Sequence, residues 1–293
     1  MKITMGLTTW TEHPALINGE RRPVTLNEYA QHMPTVEIDT FFYALPQMST
    51  IQNWLSQVPS EFQFIIKAHQ GMTLHQRNQE KGELALLFQQ YRRTIAPLIA
   101  TGQLKTILFQ FPPYFDAEVK DIEYLKLVRD WLGDLPIAIE LRNNSWYRPG
   151  VVDSLVSYCQ DLQFTLVAAD EPHDTVTSVP FYLATTNPKL AMIRLHGRNR
   201  KGWDNAGKEW RKTRTLYRYT QEELAGFAQK INQVNPQPQE LCVIFNNNSG
   251  GDAAPNALQL QKLMGIKFSD LAPRDPQQLD LVRGWSGLRI MLY

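Results

Sequence analysis

Two pairs of side chains stand two residues apart and have the types that chemistry at a binding mouth needs: Glu140 with Arg142, and Arg194 with His196. A spacing of two puts both members of a pair on one face of a β-strand. A carboxylate beside a guanidinium sets a proton-transfer group next to an anion clamp, because the planar guanidinium fork matches carboxylate or phosphate. A histidine at the strand end suits proton transfer or metal binding. The plainer accounts are a rim ion pair and a hydrogen-bonded strand-end histidine. A concentration of charges at one end of the fold favours a functional site.

Elements must position these groups, and the stretch around Glu140 shows how. In residues 136–146, P-I-A-I-E-L-R-N-N-S-W, Ile137, Ile139 and Leu141 share one face, and Ala138, Glu140 and Arg142 share the other. The pattern repeats at residues 3–10, 35–43, 62–69, 104–111, 164–170, 190–198 and 240–248. Helix-like runs separate these segments, at 25–33 with Thr25 as N-cap, 49–57 with Ser49 as N-cap, 83–100, 116–132, 151–161, 221–232 and 254–264. Eight strands alternating with helices predict a single-domain α/β fold, a TIM (β/α)8 barrel, whose strand C-termini carry the chemistry. An open doubly wound sheet is the weaker alternative, since no strand is followed by a glycine-rich phosphate turn. The expected division is a barrel over residues 1–265 and a C-terminal extension over 266–293.

In that barrel the inward strand ends are Trp10, Glu37, Asp39, Lys67, His69, Gln110, Glu140, Arg142, Asp170, Arg194 and His196, joined by an asparagine from Asn246 to Asn248. Glu37 or Glu140 is the expected general acid or base, His196 its proton partner, and Lys67 the group that stabilises developing negative charge. Arg142, Arg194 and Arg198 are the expected anion clamps. Glu37, Glu140, Asp170 and His196 also form a donor set suited to a divalent cation. Metal is not favoured, because neighbouring Lys and Arg compete for the carboxylates.

Composition bounds the partners. The chain has 293 residues, 43% of them hydrophobic, with a formal net charge of +1. No bulk field draws it to nucleic acid or acidic membranes. No apolar run approaches the ~20 residues of a membrane helix. Cys159 and Cys242 have no metal-like spacing, and the start M-K-I-T-M-G lacks an apolar signal region. Both features predict a cytoplasmic protein. Between Arg194 and Arg218, nine lysines and arginines face two acids, with Trp203, Trp210 and Tyr217 interleaved. This predicts a recognition loop over the mouth. With near-neutral total charge it favours a small anionic or sugar-like ligand over nucleic acid.

Several ordered motifs carry a resemblance: V-E-I-D-T-F-F-Y at 36–43, F-I-I-K at 64–67, Q-F-P-P at 110–113, I-E-L-R-N-N-S-W at 139–146, R-L-H-G-R at 194–198, and F-N-N-N at 245–248 with Asn256 beyond. Together they resemble the YecE-like family, domain of unknown function 72. The resemblance implies a TIM barrel. It also highlights Tyr43, Trp146, Arg198, Tyr217, Asn246 and Asn247 beside the groups above as ligand-contacting positions. The chain departs from it at Asp39, where asparagine is more usual, and at Phe41, where a small hydroxyl residue is. The resemblance implies a fold and a site but no reaction. Hydrolysis and isomerisation both suit the residues, and a non-catalytic binder of a nucleotide, phosphosugar or nucleic acid is the alternative.

Overall fold

A computed structural model of the chain describes residues 1–76, 80–172, 178–203, 213–269 and 271–273. Eight parallel strands close into a barrel in chain order. They are β1 (Lys2–Thr8), β2 (Thr35–Ile38), β3 (Gln63–Lys67), β4 (Leu104–Gln110), β5 (Ile137–Glu140), β6 (Phe164–Asp170), β7 (Leu190–Leu195) and β8 (Glu240–Phe245). Closure is made where Leu7 of β1 pairs with Phe245 of β8. Each expected strand forms, as the TIM-barrel reading requires. Several end two or more residues early, and the chain then turns, with short 3-10 turns at Thr40–Phe42 and Asn144–Tyr147.

Two apolar layers result from the alternation. Ile137, Ile139 and Leu141 of the β5 stretch join the large cluster between sheet and helices. Ile65, Leu108, Ala138, Val167, Met192, Cys242 and Ile244 fill the lumen. Strands buried on both faces are expected of a parallel barrel. At the N-terminal end the lumen is closed by Lys105, which contacts Glu240, itself bonded by Thr4. Gly6 lets β1 approach β2, because a Cβ there would stand 2.4 Å from the Thr35 carbonyl oxygen.

The helices follow the apolar runs with corrections at their ends. Thr25 caps Leu26–Ala30 in a reciprocal capping box with Glu28, and Thr220 does the same with Glu223 for Gln221–Asn232. The helix expected to be capped by Ser49 spans Met48–Leu55 instead, with Gln47 at its N-cap. The run expected at 83–100 divides into Lys81–Thr94 and Ala96–Ala100. Pro97 is the reason: it supplies no N–H and clashes with the preceding turn, but is tolerated in a first turn.

Past the last helix, Ala253–Leu263, Ile266 and Phe268 pack against the barrel and the Ala272 N–H donates to the Ala30 carbonyl at 3.0 Å. Most of the expected C-terminal extension, residues 274–293, lies outside the described residues, as do positions 204–212 of the basic loop with Trp210. Among the described residues no helix is long and apolar enough to cross a membrane.

Candidate active site

At the C-terminal end of the lumen the apolar filling gives way to an ionic layer. Arg194 of β7 is fully buried and each of its three guanidinium nitrogens donates to a carboxylate. Its Nε donates to Glu37 Oε2 at 2.8 Å and its Nη2 to Glu37 Oε1 at 2.5 Å. Its Nη1 donates to Glu140 Oε2. Thr8 Oγ1 donates to Glu37 Oε1 at 3.3 Å, and Gln110 Nε2 to Glu140 Oε1 at 2.7 Å. Desolvating charges costs several kcal/mol each, so such a layer survives only when every member is paired, as here.

The layer has opposite effects on its two carboxyls. Burial acts to raise Glu140, but Arg194, His196 and Arg142 outweigh it and hold the carboxyl well below its usual range. Burial pushes Glu37 up to about 7, against the pull of Arg194 and with a further push from Asp39. Burial lowers His196 to about 4, with Arg194 and Arg142 reinforcing the shift and Glu140 opposing it. His196 is therefore neutral at pH 7.

The tautomer follows from its neighbours. His196 Nε2 lies 3.1 Å from Glu140 Oε1, and an ionised carboxylate only accepts, so Nε2 carries the proton. The Nδ1 lone pair then takes the amide hydrogen of Asn246, 2.8 Å away. A carboxylate thus fixes the imidazole and leaves its basic nitrogen on the side of Asn246.

Above this floor opens a cavity of about 320 Å³. Lys67, Gln110, Arg142, His196 and Asn246 reach it from the strand ends, and Arg214 and Thr215 from the loop after β7. Lys67 Nζ stands 3.7 Å from Asp39 Oδ1 and 4.8 Å from the Phe42 ring centroid. Arg142 pairs with Glu171 at 2.9 Å and lies over Trp203, with Arg214 against the same ring. Burial raises the Glu171 carboxyl to about 7, offset by Arg142 and reinforced by Glu140.

The expected site residues divide. Asp39, Tyr43, Lys67, Gln110, Arg142, His196 and Asn246 line one cavity. Glu37, Glu140 and Arg194 lie beneath it as a locked layer, so Arg194 has no free edge for an anion. Asp170 is not an inward group. Val167 faces the lumen, so Asp170 falls in the opposite phase and accepts from Arg198 and from the Tyr219 hydroxyl behind the wall. Arg198 also holds Glu223, which accepts from the Tyr217 hydroxyl; both belong to this outer network rather than the cavity. Asn247 is buried on Asn256 and the Tyr217 carbonyl. Trp146 stacks on Phe115 and donates to its carbonyl at 3.0 Å, so it packs a loop. Trp10 turns away from the mouth onto Trp54, because Thr9 takes φ 60° and breaks the alternation.

Asn248 lines the cavity as well, within the expected run of asparagines, and the residues missing from the expected set are Glu171, Thr8, Thr9, Glu12, Arg214 and Thr215. Glu171 had one visible signal, an acid immediately after Asp170 at a strand end. The divalent-cation set does not fit: Arg194 stands between Glu37 and Glu140, and Asp170 is behind the wall. Among the described residues no three His, Cys, Asp or Glu side chains are placed to hold a metal.

Comparison with known proteins gives one consistent answer. The family described as "Protein of unknown function DUF72" matches residues 4–279. The UPF0759 protein YunF of Bacillus subtilis (strain 168) is 38% identical over 287 residues, covering 95% of this chain and 99% of YunF. A solved DUF72 family protein from Enterococcus faecalis V583 superposes with a TM-score of 0.85 at 41% identity, covering 93% of this chain and 99% of its own. Another, from Thermotoga maritima MSB8, gives a TM-score of 0.76 at 26% identity, covering 91% and 100%. An eight-stranded barrel with this ionic floor, matched along nearly its whole length, belongs to the DUF72 family.

Proposed function

We propose that the protein is an enzyme acting on a small anionic, phosphorylated or sugar-like substrate by acid–base chemistry at the barrel mouth. One observation carries the reading: Lys67 and Arg142 line the same cavity as His196, whose Nε2–H is fixed by Glu140. The cations would hold the substrate's anion, and the amides of Gln110 and Asn246 and the Thr8 and Thr215 hydroxyls would bind its hydroxyls. When substrate displaces the Asn246 amide, the Nδ1 lone pair becomes free to take a proton. The resulting imidazolium is stabilised by ionised Glu140, and Lys67 offsets negative charge that develops on the substrate. Hydrolysis or isomerisation follows from such a pair. Two buried, unpaired cysteines support a cytoplasmic setting.

The test is turnover of a panel of sugar phosphates by wild type and His196→Gln, with binding measured in parallel. A loss of at least ~100-fold in turnover with binding retained is expected of a proton-transfer group. One observation favours a second reading, a binding protein: both ring nitrogens of His196 are already hydrogen-bonded. Tight binding with no turnover by wild type would decide for it. Binding to oligonucleotides that falls steeply with salt would identify nucleic acid as the ligand of the basic loop.

A further inference from the structure

Beside the polar mouth lies a second hollow of about 200 Å³ with apolar walls from Trp10, Trp54 and Ile38. It shares Thr9 and Asp39 with the mouth, so the two adjoin along a partition made by these residues. Trp10 meets Trp54 edge to face, ring centroids 5.7 Å apart, which leaves an aromatic wall along the hollow. A cavity of about 150 Å³ lined by apolar side chains is enough to take benzene.

The partition itself is incomplete as a hydrogen-bonding structure. Thr9 Oγ1 and Asp39 Oδ1 are buried without a hydrogen-bond partner. Buried polar atoms are ordinarily satisfied, so two exceptions side by side in one wall call for a partner, and a ligand group reaching that wall would supply it. Asp39 Oδ1 has Lys67 Nζ at 3.7 Å. Thr9 is moreover held at φ 60°, an unfavourable conformation for a β-branched residue, pinned by its N–H donating to the Glu37 carbonyl at 2.9 Å. Strain of this kind persists where the surrounding structure imposes it, and functional sites are where it collects.

We propose that this hollow receives a flat apolar ring of the ligand whose anionic group pairs with Lys67 in the mouth. The ligand class is then an aryl- or base-bearing monoanion or dianion, with hydroxyl or amino groups beside the ring that donate to Asp39. The proposal rests on the anionic-ligand reading above and deepens it. A phenyl phosphate and a nucleoside monophosphate share the required chemistry.

Calorimetric titration of the full chain with phenyl phosphate and with methyl phosphate separates the two ideas. Phenyl phosphate is expected to bind at least ~10-fold tighter, the effect of taking one apolar ring out of water. Trp10→Ala, checked for fold by circular dichroism, is expected to lose that preference, and Trp10→Leu, which keeps apolar volume, to retain part of it. Equal affinity for the two phosphates overturns the inference and leaves the anion site standing. A preference that survives Trp10→Ala also overturns it. If neither phosphate binds, the anionic-ligand reading fails and takes this inference with it. Uridine 5′-monophosphate identifies the source: tighter binding than phenyl phosphate marks the ring as a nucleobase, weaker binding as a simple aryl group.

Discussion

Arg194 grips Glu37 through two parallel hydrogen bonds, Nε to Oε2 at 2.8 Å and Nη2 to Oε1 at 2.5 Å, across the barrel from strand β7 to strand β2. The same guanidinium reaches Glu140 on strand β5 through Nη1, so one side chain ties three strands at the level where the lumen turns polar. A point-charged ammonium has no planar fork and cannot reproduce this geometry.

Arg194→Met should therefore destabilise the fold strongly. It leaves two buried carboxylates facing each other, and breaking a buried pair costs about 3–5 kcal/mol. Urea unfolding monitored by tryptophan fluorescence measures the loss. A loss below ~1 kcal/mol would mean the layer is not holding the barrel together.

Glu171 should make anion binding pH-dependent. Its folded-state carboxyl is raised from 4.5 to about 7, burial first, with Arg142 opposing. Between those values the folded chain holds more protons than the unfolded chain, so this group's stabilisation is present below about 4.5 and is lost as pH rises through about 7. The same protonation removes the carboxylate charge 2.9 Å from Arg142, leaves that cation its longer contact with Glu140 at 3.4 Å, and makes more of its charge available to the mouth. Sulfate, whose charge is constant across the window, should bind progressively tighter from pH 8 to pH 6. In Glu171→Gln the affinity should be high and level. A pH dependence that persists in the variant would assign it to another group, Glu37 being the first candidate since it also titrates at about 7.

Gly6→Ala should weaken closure of the barrel without touching any charge. The new Cβ would lie 2.4 Å from a backbone oxygen of β2 and 3.0 Å from the Ile244 side chain, and a backbone atom cannot step aside. Overpacking of this kind costs about 1–3 kcal/mol, and a backbone clash belongs at the upper end. The melting temperature should fall by several degrees; no change would show that β1 can shift at this point.

Much of the fold was legible because it depends on local periodicity. Ile137, Ile139 and Leu141 against Ala138 and Glu140 sorted correctly onto helix-facing and lumen-facing sides. Thr25 and Thr220 each precede a glutamate by three residues, and both form the capping box that this spacing allows. The amphipathic run at 83–100, expected as one helix, divides before Pro97, a break that periodicity did not disclose and that the proline's missing N–H explains.

The site was less legible, since alternation has meaning only inside a ladder. Asp170 and Glu171 are neighbours, yet one binds Arg198 behind the wall and the other Arg142 at the mouth. Strand β6 is buried on both faces over its whole length, so its hydrophobicity could not tell which phase looks inward. Thr9, by taking φ 60°, sends Trp10 to the outer side, and no spacing rule announces such a residue.

By itself the sequence determined the strand and helix count, the barrel, and the residue types gathered at its C-terminal end, because these follow from period and polarity along the chain. Only the tertiary structure decided which of those charges face the cavity and which are locked beneath it. Arg194 has the same chemistry as Arg142 in the sequence, but closure of the ring brings Glu37 and Glu140 onto all sides of it and leaves Arg142 lining the cavity. Pairing between residues more than fifty positions apart is set by strand order and register, which fix distances that no local pattern contains.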